Sequence, residues 1–149
     1  MFSQTAEYAL RAIAHLSMNP STPQTTRQIA EATQAPMPYL SKVLQAMGRA
    51  ELIRAQRGLH GGFSLLRSPE QITVYDVIQA VDPIKRITAC PLGIRSHSNS
   101  LCPLHRRLDQ AIALVERQLR ETTIAEMIHE SATLRPLCAF HAKDGAKDG

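Results

Sequence analysis

Between Leu40 and Arg67 the sequence places Lys42, Arg49, Arg54, Arg57 and Arg67 against a single acid, Glu51. That local excess of +4 equals the formal net charge of the whole 149-residue chain, so the cationic bias is concentrated in one stretch. Gathered cations neutralise phosphates and release the counterions condensed on a nucleic acid, which points this stretch at a polyanion. Sulfur is the second reactive element, carried by Cys90, Cys102 and Cys138. The three cannot all pair within one chain, and the N-terminus shows no basic stretch followed by an apolar one. A soluble, cytoplasmic protein is therefore expected, using thiol or metal chemistry in place of a disulfide framework. An enzyme is not expected: there is no glycine-rich phosphate loop, no nucleophile elbow and no third group to orient a Cys–His pair.

Helices must position these groups. Aromatic residues are 4% of the chain with no Trp, and hydrophobic residues 44%, which favours a core of Leu, Ile, Val, Met and Ala over a sandwich packed on large rings. No apolar run approaches the length of a membrane span. Ala6, Ala9, Leu10, Ile13, Ala14 and Leu16 recur at helical spacing, predicting one buried stripe over about Gln4 to Met18. Thr25 followed by Gln28 reads as a capping box opening a short helix that ends near Thr33. A third helix starts around Pro38, burying Leu40, Val43, Leu44 and Met47 and leaving Tyr39, Ser41, Lys42, Gln45 and Arg49 on its surface. Two such helices form a helix-turn-helix. The runs Leu52 to Arg57 and Phe63 to Arg67, around Gly58-Leu59-His60-Gly61-Gly62, read as a hairpin, and a hairpin in that place is a wing.

Beyond the wing, Thr73 and Asp76 cap a helix ending near Asp82-Pro83. Periodicity then disappears from Ile84 to Leu101, a length of loop that is usually functional or disordered. It returns with Leu104, Leu108, Ala111, Ile112, Val115 and Leu119, a long amphipathic helix that needs a second copy of itself to cover its face. Thr123 and Glu126 open a short last helix. The predicted organisation is a winged-helix DNA-binding domain over 1–82, a sensor or metal-binding loop over 83–102, a dimerisation helix with the short helix over 103–130, and a flexible tail over 131–149. The fold class is mainly α with a small β-hairpin wing.

On this reading Arg27, Tyr39, Ser41 and Lys42 face base edges and phosphates, while Arg57, Gly58 and His60 form the wing tip, where a slender arginine can enter a minor groove. Tyr39 has a second reading, a half-buried ring sealing the two helices. The run from Tyr39-Leu40 through Arg57-Gly58-Leu59-His60-Gly61-Gly62-Phe63 to Ile72-Thr73-Val74-Tyr75-Asp76-Val77-Ile78-Gln79-Ala80-Val81 resembles the bacterial winged-helix regulators of the IscR and NsrR kind, the Rrf-two superfamily. The resemblance covers roughly Met1 to Ile128. It implies a homodimer acting at palindromic operators on double-stranded DNA, as a repressor or activator, and in many members an iron–sulfur cluster.

The resemblance also implies a ligand set. Cys90, Cys102 and His105 take the family's first, third and histidine places, Ser96 stands at the middle cysteine place, and Glu7 stands where some relatives supply an acidic ligand from the partner subunit. A further histidine place of a redox-sensing relative is filled by Arg11. Serine is a poor iron ligand beside thiolate. Glu7 of one chain with Cys90, Cys102 and His105 of the other would nonetheless supply four ligands, with His97 as a substitute, for a cluster expected to be of the 2Fe–2S type. Zinc is the second choice, since Cys90, Cys102, His97 and His105 form a chemically acceptable tetrahedral set. Such a protein would sense redox state, nitric oxide or iron–sulfur status. The alternative is a cluster-free regulator of the same fold, controlled by a small molecule, a partner protein or a Cys90–Cys102 thiol switch, and Glu7 could serve only to favour the helix N-terminus. Cys138 carries no role.

Overall fold

The computed structural model describes residues 2–94 and 100–130. Ser96, His97, Cys138 and the tail 131–149 lie outside the described residues. Helix α1 (Gln4–Met18) is capped by Ser3, whose hydroxyl accepts from the Ala6 amide at 3.2 Å. Its burial is wider than the single stripe read from the sequence. Ala6, Tyr8, Ala9, Ala12, Ile13, Ala14, His15, Leu16 and Ser17 are all buried, because α2, α3, α4, α6 and strand β2 pack around it. The alanines keep the helix slim enough for that many neighbours, and the buried Ser17 hydroxyl donates back to the Ile13 carbonyl at 2.7 Å.

Helix α2 (Thr26–Thr33) opens on the Thr25–Gln28 capping box and stops where Gln34 takes a left-handed conformation, φ 55°. Helix α3 (Met37–Arg49) follows at once with Pro38 in its first turn, and Leu40, Val43, Leu44 and Met47 are its buried face, as their spacing predicts. Strands β1 (Ile53–Gln56) and β2 (Gly62–Leu65) pair antiparallel, Ile53 opposite Leu65 and Gln56 opposite Gly62. The hairpin has a third partner that periodicity does not reveal. Gln24, in the α1–α2 connection, bridges Phe63: its amide donates to the Phe63 carbonyl at 2.9 Å and its carbonyl accepts from the Phe63 amide at 2.7 Å.

A 3-10 turn (Pro69–Gln71) leads to α4 (Val74–Val81), capped by the Thr73–Asp76 box. The long helix α5 (Pro103–Glu121) buries no residue completely. The short α6 (Ile124–His129) returns to the body. Its start is stitched to α4 by a Thr73–Thr123 bridge, and Ile124 and Ile128 join the same core as α1, α3 and α4. The molecule is thus a mainly helical winged helix-turn-helix with one long helix lying against α4. Among the described residues no helix is long and apolar enough to cross a membrane.

Candidate nucleic-acid interface and sensor loop

The packing that buries one side of α3 exposes the other. Met37, Pro38, Tyr39, Lys42, Gln45 and Arg49 are exposed and Ser41 is half-buried, its hydroxyl donating to the Met37 carbonyl at 3.0 Å. Tyr39 is 60% exposed, which removes the sealing-ring reading and leaves its hydroxyl available to a partner. Arg27 is exposed on α2 and shares a shallow hollow with Gln34, Pro36 and Met37 at the start of α3. Its guanidinium is held by Glu31 one turn on, at 3.1 Å. On the wing Arg54, Arg57, Leu59 and His60 are all exposed, and Gly58 takes φ 110° to turn the chain. Arg54 was named by the sequence only as part of the charge count; its Nε donates to Ser64 across the strands at 3.3 Å, so it projects from a fixed strand.

The implied metal ligands are only partly gathered. Cys102 is the N-cap residue of α5 and His105 lies in that helix's first turn, with Sγ and Nδ1 3.3 Å apart. Cys90 is half-buried in the turn closed by Gly93 donating to its carbonyl at 3.1 Å. Glu7 is exposed on α1 and pairs with Arg11 at 3.3 Å, the same arginine that donates to the Thr33 carbonyl. Two thiols, an imidazole and a carboxylate suit a cluster or zinc in chemical kind. Among the described residues, however, no three of His, Cys, Asp and Glu come together as a metal site. One chain assembles the set as far as the Cys102–His105 pair.

What holds the segment after α4 to α5 is a polar clamp that spacing did not reveal. Arg86 makes a bidentate pair with Asp109 of α5, Nε–Oδ1 2.7 Å and Nη2–Oδ2 2.6 Å, and the Ile87 amide donates to the same carboxylate at 2.9 Å. Glu116 accepts from Arg120 at 3.0 Å, and the Arg120 guanidinium lies 3.5 Å from the centre of the Tyr75 ring on α4. The Arg86 bond, with help from the Ile87 amide, holds the Asp109 carboxyl down to about 2. Burial, reinforced by Glu116, pushes the Tyr75 phenol up. Because the folded Asp109 carboxyl titrates below its unfolded value of about 3.9, the clamp contributes fully above that value and is lost as pH falls through about 2. Asp109→Asn removes the charge, and the Ile87 amide is expected to exchange about tenfold faster while core amides of α1 stay protected; equal rates would mean the clamp does not hold this segment.

The family of iron-dependent transcriptional regulators called Rrf2 matches residues 2–130. The chain is 25% identical over 138 residues to the HTH-type transcriptional regulator NsrR of Shouchella clausii, covering 90% of this chain and 92% of that one. Its fold is that of CymR, the global cysteine regulator of B. subtilis, with a TM-score of 0.73, 22% identity and coverage of 88% and 98% of the two chains. It is also that of T. potens IscR, with a TM-score of 0.72, 22% identity and coverage of 100% and 93%. An exposed face of α3, a cationic wing and a match spanning all of the described residues lead to one conclusion: this chain belongs to the Rrf2 family of transcriptional regulators and acts on DNA.

Proposed function

We propose that two copies of the chain form a symmetric dimer that grips a palindromic operator through α3 and the wing, and represses transcription according to redox state, nitric oxide or iron–sulfur status. The observation that carries the DNA half is that Tyr39, Lys42 and Arg49 of α3 and Arg54 and Arg57 of the wing are all exposed beside a core that needs none of them. In this reading Arg27, Ser41, Gly58 and His60 complete the contact surface, the helix in the major groove and the wing tip in the minor groove. The dimer half is supported by α5, whose Leu104, Leu108 and Leu114 are exposed along one helix, and by an apolar hollow of about 510 Å³ between α4 and α5 lined by Phe2, Ile78, Ile84, Leu108 and Ile112.

Cys90, Cys102 and His105 of one chain, with Glu7 of the second copy, are the residues that would hold a 2Fe–2S cluster. A bound cluster would supply iron able to change oxidation state or to take nitric oxide. The chain's own part is mechanical. Cys102 stands at the N-cap position of α5, and α5 is clamped through Arg86 and Asp109 to the segment that leaves α4, so a rearrangement of the 90–102 loop would be passed to the angle between α5 and the winged body. The distance between the two recognition helices would change with that angle, and duplex affinity with the distance. Oxygen-free protein is expected to carry iron and acid-labile sulfide with visible absorption, and Cys102→Ala to lose most of both; full occupancy in that variant overturns the ligand assignment.

A cluster-free regulator is the second reading, favoured by the Cys102–His105 contact. In this version a two-electron oxidant such as a peroxide joins Cys102 and Cys90 as a disulfide, taking the two electrons as both thiols give up their protons, and the His105 imidazole 3.3 Å from the Cys102 sulfur is placed to receive one of those protons. Protein without iron or sulfide whose operator binding changes on mild oxidation, and no longer does in Cys90→Ala, would establish it over the cluster. Control by a small molecule or a partner protein would leave binding insensitive to both oxidation and iron.

A further inference from the structure

Leu59 stands 95% exposed at the outermost turn of the wing, more so than any other exposed large apolar residue among the described ones. The turn is closed by the Gly61 amide donating to the Gly58 carbonyl at 3.0 Å, which makes Leu59 and His60 its two central residues. Those positions favour Gly, Asn, Asp, Ser or Pro for local reasons, and leucine meets none of them. The glycines around it leave little room for adjustment. A side chain at Gly61 would run into the Gln56 carbonyl, and Gly62 lies against the Gln24 backbone. The tip is therefore narrow and firmly closed, and the side chains it presents are Arg57, Leu59 and His60.

A single exposed leucine on a convex surface is ordinary. What distinguishes this one is its place, at the apex of a slender hairpin with Arg57 and His60 as exposed neighbours in the chain. A minor groove is about 6 Å wide, its walls are sugar–phosphate backbone and its floor is base edges carrying acceptors, with the apolar faces of the stacked bases between them. With the flanking cation on the wall, the apolar tip lies over the floor.

We infer that Leu59 is an apolar wedge that enters the minor groove and opens a base step, so that the wing selects deformable sequence at a position where it makes no hydrogen bond to a base. This rests on the DNA-binding reading above. Inserted apolar side chains partly unstack the step they enter, and pyrimidine–purine steps such as TA and CA yield most easily. The operator is therefore expected to carry such a step under each wing.

The test uses the full chain and duplexes that it recovers from a random pool, with 2-aminopurine placed in turn at each step of the recovered flank. Wild type is expected to raise the fluorescence at a pyrimidine–purine step. Leu59→Ala and the turn-compatible Leu59→Asn are expected to melt like wild type, to lose that rise, to bind about tenfold more weakly, and to stop distinguishing TA from AA at the step, with the salt dependence unchanged. Variants that keep the rise and the discrimination overturn the wedge, as does a wild type that binds tightly with no rise at any step. A wild type that binds no duplex even in dilute salt overturns the DNA-binding reading and the wedge together.

Discussion

Arg57→Ala is expected to weaken binding to a recovered operator by about two orders of magnitude, with little change in thermal stability. Each removed groove or phosphate contact is worth about 1–3 kcal/mol, and in the proposed dimer the substitution removes one from each wing. The dependence of log affinity on log salt should flatten by about 2, one counterion-releasing contact per wing. Stability is spared because Arg57 enters none of the ion pairs of the described residues and is exposed. Arg27 provides the contrast. Its guanidinium is committed to Glu31 at 3.1 Å, so Arg27→Ala removes a cation already partly neutralised and should cost less than Arg57→Ala on the same duplex. Filter binding or fluorescence anisotropy across 50–300 mM salt measures both; an unchanged slope for Arg57→Ala would show that the wing does not meet phosphate.

How far the sequence carried differs between elements for identifiable reasons. Helices α2, α4 and α6 start at their sequence-read caps because a capping box is local: Thr25 with Gln28, Thr73 with Asp76 and Thr123 with Glu126 each close on themselves. The buried face of α3 was legible because it packs on one side only. Helix α1 was under-read, since a stripe pattern assumes one partner and α1 has several; His15 and Ser17 are buried there although polar. The Gln24–Phe63 bridge and the Arg86–Asp109 clamp join residues distant in the chain, and nothing in local periodicity encodes them. Within the site, charge density marks α3 and the wing, while exposure, which charge cannot report, removes the half-buried reading of Tyr39 and brings out Leu59. Of the ligand places, Cys102 and His105 are three residues apart across the start of α5 and touch for that local reason, while Glu7, expected to serve the second copy, pairs with Arg11 on its own helix.

Gly62→Ala should be the most destabilising single-atom addition to the wing, because a conformational and a steric cost fall on one residue. Gly62 has φ 151°, a region that L side chains rarely adopt, and a Cβ there would lie 2.6 Å from both the carbonyl carbon and the oxygen of Gln24. These are backbone atoms, and they belong to the residue whose two hydrogen bonds to Phe63 fasten the hairpin to the α1–α2 connection. A flexible side chain would swing aside; this backbone can move only by breaking the bridge. Strain of about 1–3 kcal/mol and overpacking of about 1–3 kcal/mol together give a loss of roughly 2–6 kcal/mol, a large part of a domain's stability. Gly58 isolates the first contribution, since it has φ 110° but open space around its Cβ position, so Gly58→Ala should cost only about 1–3 kcal/mol. Urea unfolding of the two variants beside wild type measures the difference, and hydrogen exchange at the Gln24 and Phe63 amides locates it: both should lose protection in Gly62→Ala and keep it in Gly58→Ala. Equal losses from the two substitutions would mean that the wing does not rest on the Gln24 backbone, and that the hairpin's position is set by α3 alone.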